Sequence, residues 1–161
     1  MIQFYSTDQY QQKCERLFEV YKNKIHELIP SAQIEHIGSS AIPHAISKGD
    51  LDIYIAVEIT ELEKYVTILK TLDFQEKQGT FRSHELCMLQ SNIEEDVAIQ
   101  LVAQGSMYEC FLTFRDLLRK NPEYVAQYNQ LKKQCQHLEM DEYRLKKSEF
   151  IEKILHRQLQ V

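Results

Sequence analysis

Apolar residues recur at three- and four-residue spacing between positions 8 and 28, as Cys14, Leu17, Phe18, Tyr21, Ile25 and Leu28. That period predicts one long amphipathic helix with a single buried stripe. Thr7 stands where an N-cap is expected, and Pro30 ends the helix. His26 lies one position off the stripe, at its boundary. The pattern then changes. Residues 33–37 read as a short strand. Residues 50–57 read as a longer one whose middle, Ile53 to Val57, is apolar on both faces, as a central strand requires. Between them, 39–47 predicts a short helix with Pro43 near its first turn. Residues 61–72 return to the helical period through Leu62, Tyr65, Val66 and Leu69, capped near Thr60. Strands follow at 74–77, 81–89 and 97–103, with Gln78-Gly79-Thr80 as a hairpin turn and 91–95 as a loop. From Ser106 onward the pattern is helical throughout. It covers 107–120, then 123–136 opened by Asn121-Pro122, then 141–159 through Leu145, Phe150, Ile151, Ile154 and Leu155. One helix separates two of the strands and short turns join the rest, which predicts an α+β fold: a mixed sheet flanked by helices, with a helical C-terminal part. No repeat or linker interrupts it. The expected organisation is one domain over 1–161, with a helix and mixed-sheet part at 1–104 and a helical part at 105–161.

Composition narrows the class. A chain of 161 residues, 43% apolar and 27% charged, suits a single soluble domain with a full core. No apolar run reaches the roughly 20 residues that span a bilayer, so no membrane association is expected. The opening MIQFYSTDQY lacks the layout of a signal peptide, which makes the cytoplasm the expected location. Cys14, Cys87, Cys110 and Cys135 form no Cys-x-x-Cys pair, which suggests reduced, mostly buried thiols. Only Cys135 and His137 approach a ligand-like spacing. The net charge of −5 argues against general nucleic-acid binding. Residues 1–114 are acidic on balance and 115–161 mildly basic, which fits acids that hold a metal facing bases that hold phosphate. Solvated helices would give the same split.

The stretch HIGSSAIPHAISKGDLDIYIAV carries the candidate chemistry. Gly38 permits a sharp turn and close approach of a ligand, and Ser39 and Ser40 bring hydroxyls and free amides where a helix begins. Asp50 and Asp52 are two apart on a strand, so both leave one face. Neighbouring carboxylates repel, and a hard dication such as Mg²⁺ is a natural partner. Two solvated acids at a strand start remain the alternative. No Walker-type P-loop is present, and four glycines leave no Rossmann fingerprint.

The string HIGSS-AIP-(x)4-K-GDLDI resembles the signature of the GrpB family, a branch of the nucleotidyltransferase-like superfamily. FRDLLRKNPEYVAQYNQLKK and YRLKKSEF are similar to that family's C-terminal half, so the resemblance covers nearly the whole chain. It implies a nucleotidyltransferase-like fold and Mg²⁺-dependent transfer of a nucleoside monophosphate from an NTP to an unknown acceptor. The same fold also serves as a nucleotide- or phosphate-binding module without transfer, or as a scaffold. Under the resemblance Asp50 and Asp52 hold metal, and two-metal chemistry calls for a third acid. Asp96 is the candidate, because it begins the predicted strand 97–103, although that strand's interior offers Ala98 and Gln100 on the same face, where active superfamily members place an acid. Family members more often carry histidine near Gln100, and many carry an apolar residue at position 50. His36, Gly38, Ser39, Ser40 and Lys48 match the family's first motif as candidate phosphate contacts. Arg115, Tyr128, Lys132 and Lys147 are the candidates in the C-terminal half. Tyr128 and Lys132, like Tyr143 and Lys147, lie four apart and share a helical face. Each has a structural alternative: capping for the serines, a buried strand residue for His36, a surface lysine for Lys48. Arg115 has an ion pair with Asp116, and each Tyr–Lys pair a half-buried tyrosine beside a solvated lysine.

Overall fold

A computed structural model describes residues 1–94 and 96–159; residue 95, in the loop expected at 91–95, lies outside the described residues. The first helix, α1, runs Thr7–Leu28 and is capped by Ser6, not Thr7, through a capping box with Gln9. Its buried face is Tyr10, Cys14, Phe18, Tyr21 and Ile25, while Leu28 is exposed and Ile29 is buried in its place. The chain then forms β1 (Gln33–Ile37), β2 (Leu51–Val57), α2 (Leu62–Lys70), β3 (Phe74–Glu76), β4 (Leu86–Ser91) and β5 (Val97–Ala103). Three helices complete it: α3 (Cys110–Lys120), α4 (Pro122–Gln134) and α5 (Met140–Leu159).

The five strands make one mixed sheet in the order β1-β2-β5-β4-β3. The central pair, β2 and β5, is parallel, and every other pair is antiparallel. One face carries Ile53, Ile55, Ile99 and Leu101 against α1 and α2. The opposite face carries Tyr54, Ala56, Leu86 and Val102 beneath Phe111 and Leu112 of α3. A further cluster of Phe114, Leu118, Val125, Tyr128 and Ile154 fastens α3, α4 and α5 together and receives Ile42 and Ala45 from the loop before β2. Strand β2 is thus covered on both sides, as its apolar run predicts. Only its first positions open to a ligand.

Three expectations are corrected. The helix expected at 39–47 is a single 3-10 turn at Ser39–Ala41. His44 adopts a left-handed φ of 67°, which ends any helical path there. The strand expected from residue 81 begins at Leu86; Phe81 is exposed, in a loop. Leu145, expected in the buried stripe of the last helix, is exposed. Among the described residues no helix is long and apolar enough to cross a membrane.

Candidate functional site

The turn between β1 and β2 and the two helices packed beneath it decide where charge can gather. Gly38 has a φ of 76° and lies against β2, and a Cβ there would overlap the Asp52 carboxylate. Glycine is required twice over, for the backbone angle and for the space. A Gly38→Ala variant is expected to lose about 2–4 kcal/mol of stability in urea unfolding, from left-handed strain and the displaced acid. An alanine variant as stable as the parent would overturn that account. The next loop, 42–49, is held by Asn129 of α4, which accepts from Ile46 N (2.9 Å) and donates to His44 O (2.8 Å). The Tyr10 hydroxyl donates to Ala45 O (2.7 Å).

Asp50 and Asp52 emerge on one face into a cavity of about 430 Å³ between the sheet and the C-terminal helices. Asp50 pairs with Lys48 (3.4 Å). Asp52 lies deeper. Burial, with the Asp50 charge adding to it, pushes its carboxyl up to about 6, while Lys147, Lys77 and Lys48 pull the other way. The opposite wall carries amines. Lys132 is 1% exposed; its Nζ donates to Ser39 Oγ and Ile46 O and lies 4.1 Å from the centroid of the Tyr128 ring. Burial, reinforced by Lys147, holds its amine well below the ordinary lysine range. Lys147 stands over Tyr143. The two Tyr–Lys faces expected on adjacent helices do converge on this cavity, together with Gly38, Ser39 and Lys48.

Four candidates lie elsewhere. Asp96 is exposed and has a φ of 60°, so the strand's alternation does not run back through it. It borders a hollow of about 110 Å³ on the α1 side with Lys13 and Glu94, and it does not line the cavity of Asp50 and Asp52. The place across from Asp52 in register is Ala98, and the next on that face is Gln100. His36 points to the other side of the sheet, stacked on Phe18 (5.0 Å between centroids). Its Nε2 is 2.8 Å from Ser40 Oγ, and burial lowers it to about 4, which keeps the ring neutral. Ser40 is thereby committed to the turn. Arg115 is buried, bound to Glu35 (3.2 Å), Asp116 (2.9 Å) and His36 O (3.0 Å). Its guanidinium ties α3 to β1.

The structure adds residues that the sequence did not mark. Lys77 enters from the loop after β3, Arg144 from α5, and Met88 and Phe111 supply apolar wall. Lys77 carries no local signal, because sheet order alone brings it opposite Asp52. Among the described residues no group of three His, Cys, Asp or Glu side chains could hold a metal by itself, and all four cysteines are free thiols.

A mixed sheet that presents two acids from a central strand beside a Gly-Ser turn is the nucleotidyltransferase-like fold. The chain superposes on the Cid1 poly(U) polymerase solved with MgGTP bound, with a TM-score of 0.52 over 75% of this chain and 40% of that one. At 13% identity the likeness is one of fold. Within that class the chain belongs to the GrpB family. The family model described as GrpB protein matches residues 6–157. A UPF0157 protein of Vibrio cholerae is 54% identical over 154 residues, 96% of this chain and 82% of the relative. The crystal structure of conserved protein GrpB from Enterococcus faecalis has a TM-score of 0.80 and 25% identity, covering 98% of both chains.

Proposed function

We propose that this chain binds a nucleoside triphosphate with Mg²⁺ in the cavity between β2 and the C-terminal helices and transfers the nucleoside monophosphate to an acceptor. The observation that supports this most is the pairing of walls: Asp50 and Asp52 on one side, Lys132 and Lys147 on the other, around a space of small-molecule size. The donor set fits magnesium, which takes one or two carboxylates and fills its remaining positions with phosphate oxygens and water. A dication bound there would favour the ionised form of the Asp52 carboxyl, which burial and then the Asp50 charge raise. Bound magnesium would neutralise phosphate charge and steady the leaving group.

The chain's own residues do the rest. Ser39 accepts from Lys132 and lies beside the Tyr128 hydroxyl, and its own hydroxyl is assigned to a phosphate oxygen. Lys147 and Arg144 draw the polyphosphate toward the helices, Lys132 holds Ser39 beside it, and Lys48 pairs with Asp50. In the reaction an acceptor oxygen or nitrogen bonds to the α-phosphorus, the α–β anhydride bond breaks, and pyrophosphate leaves with the electron pair. The acceptor's proton passes to solvent. We place this chemistry in the cytoplasm, where four free thiols stay reduced.

A second reading has its own observation. No carboxylate stands at 98 or 100, across from the acid pair, which favours a module that binds Mg-nucleotide without transfer. Equilibrium binding of ATP, GTP, CTP and UTP with Mg²⁺ and with EDTA, alongside pyrophosphate release, decides between them. Metal-dependent binding with pyrophosphate release, lost in Asp52→Asn, is the expected result. Binding without release selects the second reading. No binding overturns both.

A further inference from the structure

Lys132 of α4 ends against Ser39 in the turn after β1, its Nζ within hydrogen-bond reach of the Ser39 Oγ. Its other two partners carry no charge: the Ile46 carbonyl oxygen, and the face of the Tyr128 ring with its centroid 4.1 Å away. Among the described residues no carboxylate forms an ion pair with it. Lys147 on α5, with Lys48, Asp50 and Asp52 around the start of β2, acts on it only through space.

An ammonium taken out of water without a counter-ion is costly, and a lysine so placed sheds its proton instead. The partners suit that neutral form. A neutral amine has two N–H groups and one lone pair. Ile46 O can only accept, so it takes one N–H, and the electron-rich face of Tyr128 receives the other. The lone pair is left for Ser39. The ammonium donates to that hydroxyl; once the proton is shed, the same contact reverses and the hydroxyl donates.

A buried amine against a reachable hydroxyl is the Ser–Lys form of an activated nucleophile. Ser39 is half-buried and lines the cavity beside Asp50 and Asp52. Lys132, at 1% exposed, is shielded from water. The dyad also supplies what the acid pair lacks. Positions 98 and 100 offer no carboxylate to take an attacking proton, whereas Lys132 already touches a hydroxyl able to attack. A hydroxyl that holds an α-phosphate oxygen stands roughly one near-attack distance, about 3.5 Å, from the phosphorus.

We propose that Ser39 is itself a nucleotide acceptor: with Lys132 as its base, it takes the nucleoside monophosphate from a bound NTP and becomes a serine phosphodiester. The inference rests on the transfer reading and names a resident substrate for it. Ser39 Oγ bonds to the α-phosphorus, the α–β anhydride bond breaks, and pyrophosphate leaves with the electron pair. The hydroxyl proton passes to Lys132 Nζ, which becomes an ammonium beside the new anion.

The test incubates the full chain with Mg²⁺ and ATP labelled in the α- or the γ-phosphate, then reads label on the denatured protein. ATP affinity is measured separately. The α-label should stay on the chain and survive acid, and peptide mass spectrometry should place it on Ser39. The γ-label should leave as pyrophosphate. Ser39→Ala should lose all label at saturating ATP. Lys132→Met should slow labelling about a hundredfold or more, the scale of a lost general base, with Tm and ATP affinity showing it folded and loaded. In the parent the rate should level off well below the ordinary lysine pKa of about 10.4, a profile that a merely structural lysine would not shape. A rate that climbs all the way to that range overturns the inference, as does an unchanged rate in folded Lys132→Met. Acid-labile label, which marks an amine, or label on any other residue overturns it too. ATP bound with the chain unlabelled removes the inference and leaves the transfer reading standing. Failure to bind ATP at all brings down both.

Discussion

Substituting Ala98→Asp is expected to raise the rate of nucleotide transfer by about a hundredfold or more, the low end of what a positioned acid or base contributes. Ala98 lies across from Asp52 in the parallel β2–β5 register and lines the cavity, so a carboxylate there would join the acid pair without rebuilding the sheet. It would receive the acceptor's proton and complete a three-acid ligand set. The variant should also depend more steeply on magnesium, because three neighbouring acids repel more than two. Pyrophosphate release against Mg²⁺ concentration measures both effects. A rate no higher than the parent's, at equal nucleotide affinity, would show that the missing acid is not what limits the site.

Asp52→Asn is expected to do two opposite things, abolishing metal-dependent nucleotide binding and making the protein more stable. Burial and Asp50 raise the folded-state carboxyl to about 6 from its ordinary value of 3.8. The folded chain therefore holds a proton that the unfolded chain releases earlier. Stability falls as pH rises through that window and stays reduced above it. At pH 7.5 the penalty is on the order of 1–3 kcal/mol, allowing for the residue's partial exposure. The amide removes it, so Tm should rise by roughly 3–8 °C at pH 7.5. The two proteins should converge below about pH 4, where the carboxyl is protonated in both states. Added Mg²⁺ should raise the parent's Tm and leave the variant's unchanged. A variant less stable than the parent at pH 7.5 would sink the electrostatic account of the site.

Much of this was legible from local pattern. The stripe of α1, the apolar run of β2 and the shared face of Asp50 and Asp52 all follow from periodicity, which a chain keeps once its neighbours are in place. What was not legible depended on distant packing or on single backbone angles. Asp96 looks continuous with its strand in sequence, but its left-handed φ breaks the alternation. His36 and Arg115 match a motif, yet one faces α1 and the other is consumed in tying α3 to β1. Lys77 is an ordinary lysine until four other strands define its position. Leu145 keeps the helical period and is still exposed, because α5 has no layer beyond it to cover that side.

Lys77, Lys132 and Lys147 share one cavity, and none has an ion-pair partner among the described residues. The exposed parts of that concavity, at Lys77 and Lys147, are expected to draw small anions from whatever buffer surrounds them. On the proposed reading, phosphate or sulfate carried through purification would compete there with nucleotide, so the choice of salt would govern whether an affinity is seen at all.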